Sequence, residues 1–184
     1  MVYKRLSIPD VVAITPKIFG DDRGFFMETF RQNEFEGYCG KNTFVQDNHS
    51  KSMRGVLRGL HFQTQKSQGK LIRVIEGKVL DVAVDLRPHS THFGEWVSEI
   101  LSDENKKQLW IPPNFAHGFL VLSDYAEVVY KTTEYYAPEY ERSIMWNDGH
   151  LNINWRKDLW EWEGDPILSP KDKDAGSFTE YSKC

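Results

Sequence analysis

Apolar and polar residues alternate with a period of two along most of this chain, in short runs, and such runs predict strands whose successive side chains face opposite ways. Val11–Ile14 reads as a first strand ended by Pro16, and Asp21-Asp22-Arg23-Gly24 reads as a turn. Phe25–Phe30 follows as a strand on which Phe26, Glu28 and Phe30 share a face, so that Arg23 and Glu28 either reach one ligand or form a surface ion pair. Gln32–Tyr38 is one of very few helical candidates. From Phe44 onwards strands recur at intervals of roughly 8–12 residues, separated by Gly, Pro, Asn or Ser. Leu71–Ile75 and Val79–Leu86 flank Glu76-Gly77-Lys78, which predicts a hairpin. On the second of these strands Leu80, Val82, Val84 and Leu86 face one way, and Asp81 and Asp85 the other. Trp110-Ile111 stops at Pro112-Pro113, while Phe119–Leu122 and Ala126–Tyr135 complete the set. The sum is an all-β, antiparallel jelly roll, a sandwich or barrel with a few short helices. No repeat or linker interrupts residues 1–184, so one domain is expected. Within it, 138–184 carries Trp146, Trp155, Trp160 and Trp162 among charged residues and turn formers, and is expected to cover the open end of the barrel or an interface.

Composition narrows the function. With 40% hydrophobic and 14% aromatic residues in 184, the chain has enough apolar surface for a sizeable core. A formal charge of −4 argues against a nucleic-acid binder and leaves an anionic small ligand open if basic residues are gathered locally. Cys39 and Cys184 are the only cysteines, which fits a reducing cytoplasm better than a disulfide framework. No run of about 18 apolar residues and no cleavable leader pattern is present, so neither a membrane span nor secretion is expected.

The chemistry concentrates in FVQDNHSKSMRGVLRGLHFQTQKSQGK, residues 44–70, which sets Gln46, Asn48, His49, Arg54, Arg58, His61 and Lys70 between apolar runs. So many hydrogen-bonding and titratable groups in a β-rich core are costly to desolvate unless they meet a ligand or one another, which reads as the wall of a binding site. A lone His61 on a strand is more often a core residue than a catalyst, but Arg58, Gln63 and Lys70 lie within a dozen residues of it. Strict alternation puts Arg58 and His61 on opposite faces, so one pocket receives both only if the strand bulges, and Gly59 is the place for it. A metal centre of the cupin type needs a His-x-His pair with a further carboxylate; Leu60-His61-Phe62-Gln63 and Phe115-Ala116-His117-Gly118 each supply a single His, so no metal is expected. Phosphate loops, nucleophile elbows and dinucleotide fingerprints are absent from the sequence, so no cofactor is expected either.

Five strings then carry a resemblance: Asp22-Arg23-Gly24-Phe25-Phe26-Met27-Glu28; Val45-Gln46-Asp47-Asn48-His49-Ser50; Gly55-Val56-Leu57-Arg58-Gly59-Leu60-His61-Phe62-Gln63; Gln108-Leu109-Trp110-Ile111-Pro112-Pro113 with Phe115-Ala116-His117-Gly118-Phe119; and Leu168-Ser169-Pro170-Lys171-Asp172. In this order they resemble the dTDP-4-dehydrorhamnose 3,5-epimerase family over about Ile8 to Asp172. The resemblance implies a cofactor-independent, cytoplasmic, homodimeric epimerase on a cupin-like jelly roll, acting on a dTDP-linked 4-keto-6-deoxyhexose in dTDP-L-rhamnose formation. A 4-keto group acidifies the hydrogens on carbons 3 and 5, so inversion needs a base on one face, stabilisation of the enolate oxygen, and an acid on the other face. The match implies His61 as base, Asp172 as the carboxylate behind it, Lys70 at the keto oxygen and Tyr130 as proton donor. It also implies substrate binding by Arg23, Glu28, Gln46, Asp47, Asn48, Arg58, Lys70, His117, Glu141 and Lys171, with Tyr136 stacked on thymine. Arg23, Arg58, Lys70 and Lys171 would then surround the diphosphate, and in the family the segment carrying Arg23 and Glu28 can contribute to the neighbouring subunit's site.

The chain departs from the family pattern at Asn114, where Gly is usual, at His92, where Thr is common, and at Asn154-Trp155-Arg156-Lys157, which lacks a Trp-Pro step. Three other readings stand beside the double epimerase: an epimerase acting at carbon 3 or carbon 5 alone, a metal-dependent cupin enzyme, and a non-catalytic sugar-nucleotide binder. The last has no use for an acid and a base.

Overall fold

The computed structural model describes residues 1–181, so Cys184 lies outside the described residues. The strands in chain order are β1 (Val2–Arg5), β2 (Val12–Thr15), β3 (Ile18–Asp21), β4 (Gly24–Met27), β5 (Gln46–Met53), β6 (Leu57–Gln63), β7 (Lys70–Glu76), β8 (Lys78–Asp85), β9 (Trp96–Ser102), β10 (Gln108–Ile111), β11 (Phe115–Val121), β12 (Tyr125–Thr132) and β13 (Glu141–Ser143). Helices are few: α1 (Gln32–Cys39), α2 (Pro170–Lys173) and α3 (Phe178–Tyr181). A six-stranded sheet of order β1-β2-β10-β7-β12-β5 faces a five-stranded sheet of order β13-β6-β11-β8-β9, and β3 and β4 form a separate hairpin. Every ladder is antiparallel, as a jelly roll requires.

Three apolar layers hold these sheets. Ile72, Val74, Leu109, Ile111, Ala126 and Val128 from one sheet meet Val79, Ala83, Val97, Phe115, Phe119 and Val121 from the other, forming the core between them. The outer face of the six-stranded sheet is capped by α1, whose Phe35 is fully buried against Val12, Ile14, Leu71 and Trp110. The tail covers the other outer face: Trp146, Leu151, Trp155 and Phe178 pack on Leu80, Val82, Val84 and Leu120. Tryptophans predicted at the barrel mouth or an interface therefore lie, in the case of Trp146 and Trp155, against a sheet face.

The turn at Glu76-Gly77-Lys78 is not a hairpin. β7 pairs with β10 and β12, whereas β8 pairs with β11 and β9, so the chain crosses from one sheet to the other at Gly77. Gly77 takes φ 81°, and a Cβ there would stand 2.1 Å from the Tyr125 carbonyl oxygen, so only glycine makes this corner. Local alternation identified both strands correctly but carries no information about which sheet each joins. Asn114, at φ 66°, occupies a left-handed position, which accounts for the glycine usual there; Asn is among the few residues that tolerate it.

β6 carries the bulge that its sequence calls for. Phe119 opposes Arg58 and His117 opposes His61, so two residue steps on β11 match three on β6. The extra residue returns Arg58 and His61 to one face. Gly59 has φ 122°, and a Cβ would lie 2.5 Å from the Cα of Gly118 and 2.7 Å from the His117 carbonyl, so conformation and close approach both demand glycine.

Candidate active site

A cleft of about 270 Å³ opens between the sheets, lined by Gln46 and Asn48 of β5, His61, Phe62 and Gln63 of β6, Gln68 and Lys70, Tyr130 of β12, Tyr136 and Glu141. Its walls come from different sheets. β6 and β13 contribute His61 and Glu141 on one side, while β5, β7 and β12 contribute Asn48, Lys70 and Tyr130 on the other.

His61 is tied to the tail. Its Nε2 lies 2.5 Å from Oδ1 of Asp172, and the Ser169 hydroxyl donates to Oδ2 at 2.7 Å. Ser169 caps α2, with Pro170 in the first turn, and that short helix aims the carboxylate back at β6. Burial pushes the Asp172 carboxyl up, but hydrogen bonds from His61 and Ser169 outweigh it and hold the group below its ordinary value. An ionised Asp172 accepting Nε2–H leaves the His61 Nδ1 lone pair free to take a proton. In the sequence Ser169 figures only as part of the Leu168–Asp172 string; its capping role and its contact with Asp172 come from the structure.

The opposite wall supplies a cation and a phenol. Lys70, at the start of β7, is buried and makes no hydrogen bond or ion pair among the described residues; burial pushes its ammonium down to about 8, against the pull of Asp81 and Glu141. Tyr130 stands between Asn48 of β5 and Ile72 of β7, and burial raises its phenol, opposed by the charge of Arg58. It thus stays protonated at neutral pH, ready to donate.

Around the mouth, Tyr136 is held by its backbone N–H to Gln46 Oε1 at 3.0 Å and by its hydroxyl to Glu141 at 2.8 Å. Glu141 in turn pairs with Lys171. Arg58 donates to the Ser52 hydroxyl at 2.9 Å; deeper in, buried His117 meets the Asp81 carboxylate at 2.9 and 3.0 Å. Gln63, which receives the Ala137 N–H and donates to the Lys66 carbonyl, and Gln68, which donates to the Glu134 carbonyl, fix the adjoining loops; in the sequence Gln63 stands out only as a polar neighbour of His61, and Gln68 not at all.

Arg58, His117 and Lys171 do not line the cleft themselves but adjoin its walls, Arg58 on β6, His117 opposite His61 and Lys171 on Glu141, while three further expected binding residues lie apart from it within the chain. Asp47 faces the other side of β5 and pairs with Lys131 at 2.9 Å, because Gln46 and Asn48 take the inward positions. Arg23 pairs with Asp21 at the tip of the β3–β4 hairpin, and Glu28 pairs with Arg31 at 2.9 Å. The strand expected over Phe25–Phe30 ends at Met27, so Glu28 and Phe30 do not extend the face of Phe26. Among the described residues no three His, Cys, Asp or Glu side chains come together as metal ligands, and no helix is long and apolar enough to cross a membrane.

Fold and cleft together define a class: a cupin-like jelly roll whose cleft sets a carboxylate-backed histidine against a buried lysine and a protonated tyrosine, the groups of acid–base chemistry. The family is given by comparison. The chain belongs to the dTDP-4-dehydrorhamnose 3,5-epimerase family, whose sequence model matches residues 5–180. It is 56% identical to the dTDP-4-dehydrorhamnose 3,5-epimerase of Pseudomonas aeruginosa over 96% of this chain and 95% of that protein. It is 55% identical to the Escherichia coli protein of the same name over 92% of this chain and 90% of that one. The crystal structure of a dTDP-6-deoxy-D-glucose-3,5-epimerase from Legionella pneumophila, in complex with dTDP-4-keto-L-rhamnose, superposes with a TM-score of 0.90 at 49% identity, covering 97% of this chain and 93% of that one.

With His61 acting as a base, Asp172→Asn should leave KM nearly unchanged and lower kcat about 10²–10⁴-fold, since the carboxylate would then support a charge that exists only after proton transfer. Steady-state kinetics checks it. Because the folded carboxyl is held low, its contribution to stability is complete above the ordinary carboxylate range and is lost as pH falls through the folded value. Wild-type and variant Tm values should therefore converge in acid.

Proposed function

We propose that this protein inverts carbons 3 and 5 of dTDP-4-dehydro-6-deoxy-D-glucose to give dTDP-4-dehydro-L-rhamnose, with His61 and Tyr130 as base and acid. The observation that carries the reading is that these two side chains line one cleft from facing sheets. A hexose lying between them loses hydrogen toward β6 and regains it from β12. His61 Nδ1 takes the proton alpha to the ketone, Asp172 stabilises the imidazolium, and the Lys70 ammonium meets the enolate oxygen. Tyr130 protonates the opposite face. Each inversion is redox-neutral and leaves His61 protonated and Tyr130 as a phenolate; His61 gives its proton to water and Tyr130 takes one from water before the next, which is how solvent deuterium enters the sugar.

At the mouth, Tyr136 offers a ring for thymine, and Arg58 and Lys171 offer charge to a diphosphate, which reconciles an acidic chain with an anionic substrate. Arg23 and Glu28 act in a neighbouring subunit's cleft. The β3–β4 hairpin supports this: Phe19, Phe25 and Phe26 are 53%, 57% and 70% exposed, too much apolar surface for an isolated projection and well suited to a second copy of the chain. Light scattering should return a homodimer mass, and Phe26→Asp should shift it toward the monomer and raise KM; a monomeric wild-type protein would reject the shared site.

Incubation with the 4-keto substrate in deuterated water tests the reaction. Label at carbons 3 and 5 is expected; label at one carbon means a single-position epimerase, and saturable binding without label means a binder.

A further inference from the structure

Asp81 is fully buried on β8, where it opposes Phe119 of β11 and Glu99 of β9, and the mechanism above gives it no task. A carboxylate with no access to water persists only where its charge is met. The partner is His117, itself 7% exposed, whose Nε2 lies 2.9 and 3.0 Å from the two carboxylate oxygens. His117, on β11, stands directly opposite His61 of β6. Resting on the reaction assigned above, we propose that Asp81 is a positioning residue for it: its carboxylate locks His117 as the neutral Nε2–H tautomer and supplies the buried negative charge that keeps Lys70 an ammonium.

Both halves have physical grounds. Burial pushes His117 down, against the charge and hydrogen bond of Asp81, and the charges of Lys70 and His61 push it further down, so the imidazole is neutral and its one proton sits on the nitrogen facing the carboxylate. Its Nδ1 is then an acceptor with no protein partner among the described residues. Lys70 has no contact partner either, and among the charges acting on it Asp81 pulls hardest. Facing this cluster are His61 from β6, Tyr130 from β12, Glu141 from β13 with its partner Lys171, and Glu99 from β9 with its partner Lys107. Glu99 is paired with Lys107 and Glu141 with Lys171, whereas the Asp81 carboxylate meets only the His117 imidazole among the described residues, so of the two carboxylates that pull on Lys70 it is the one with no cation of its own.

The test is Asp81→Asn, which keeps shape and removes charge. In wild type the alkaline limb of kcat/KM should fall as Lys70 deprotonates near pH 8, since the free enzyme's groups govern that ratio. In the variant the limb should move about one pH unit or more toward acid, the usual effect of one nearby charge, and kcat at neutral pH should fall about 10–100-fold, the range for partners that orient a histidine. A uniform loss with an unmoved limb assigns Asp81 to packing alone and overturns the proposal. Imidazole and lysine ¹⁵N spectra of wild-type protein give a readout that needs no variant to fold: His117 as Nε2–H and Lys70 charged at pH 7 are required, and a His117 Nδ1–H tautomer or a neutral Lys70 overturns it. If wild type itself exchanges no deuterium, the reaction assignment has failed instead; if it exchanges and the variant matches it at every pH, only Asp81 has been misassigned.

Discussion

Replacing His61 with alanine should abolish deuterium incorporation at both carbon 3 and carbon 5, a fall of at least about 10³-fold in turnover. The cleft holds no second group placed to do its work: Lys70 is a cation at neutral pH, Tyr130 is protonated, and Glu141 is bound to Lys171 and Tyr136. Alanine also strands Asp172, 3% exposed, with Ser169 as its remaining side-chain partner, which costs about 1–3 kcal/mol. His61→Gln separates the two effects, because a glutamine amide donates to Asp172 yet is no base. Both variants should lose exchange, the glutamine variant should keep more of the wild-type Tm, and nucleotide affinity should persist in each. Full exchange in either variant would remove His61 from the mechanism. Tyr130→Phe is the counterpart: it should retain abstraction, seen as loss of substrate hydrogen, while slowing return of the proton from the far face.

How much of this was legible beforehand follows from the range of each interaction. Alternation along Val79–Leu86 correctly divided Leu80, Val82 and Val84 from Asp81 and Asp85, because a strand's faces are a local property. The need for a bulge at Gly59 was legible for the same reason, since two polar residues three apart cannot otherwise share a face. Sheet membership was not: the turn at Gly77 looks like a hairpin in sequence and is a crossing between sheets, a fact fixed by partners as distant as Tyr125. Strands β1, β3, β9 and β13 escaped notice because they are short, or polar enough to read as loop, and owe their conformation to a neighbour. The pairing of His61 with Asp172 spans 111 residues, beyond any periodicity; only resemblance supplied it in advance. Asp47 shows the converse failure, for a motif names neighbours along the strand without saying which of them turn inward.

Lys70→Met should produce opposite effects on activity and stability. In the role proposed for Lys70, the variant leaves the enolate oxygen without its cation, and kcat should fall about 10²–10³-fold, the usual loss for one such donor. Yet the folded state should gain. The lysine is buried without a bonded partner, and the drop of its ammonium from the ordinary 10.5 to about 8 corresponds to about 3 kcal/mol of destabilisation at neutral pH. Methionine fills similar space with no charge to desolvate, so Tm should rise, at about 2–4 °C per kcal/mol for a chain of this size. The pH dependence separates this cause from simple repacking. Between pH 8 and 10.5 the unfolded wild-type chain binds a proton that the folded one has released, so wild-type stability climbs with pH across that window. The methionine variant has no such slope, and the gap between the two proteins should close as pH approaches 10.5. Thermal melts at pH 7, 9 and 10 would decide it: a constant gap would mean that repacking, rather than relief of a buried charge held in place for the substrate's oxygen, stabilises the variant.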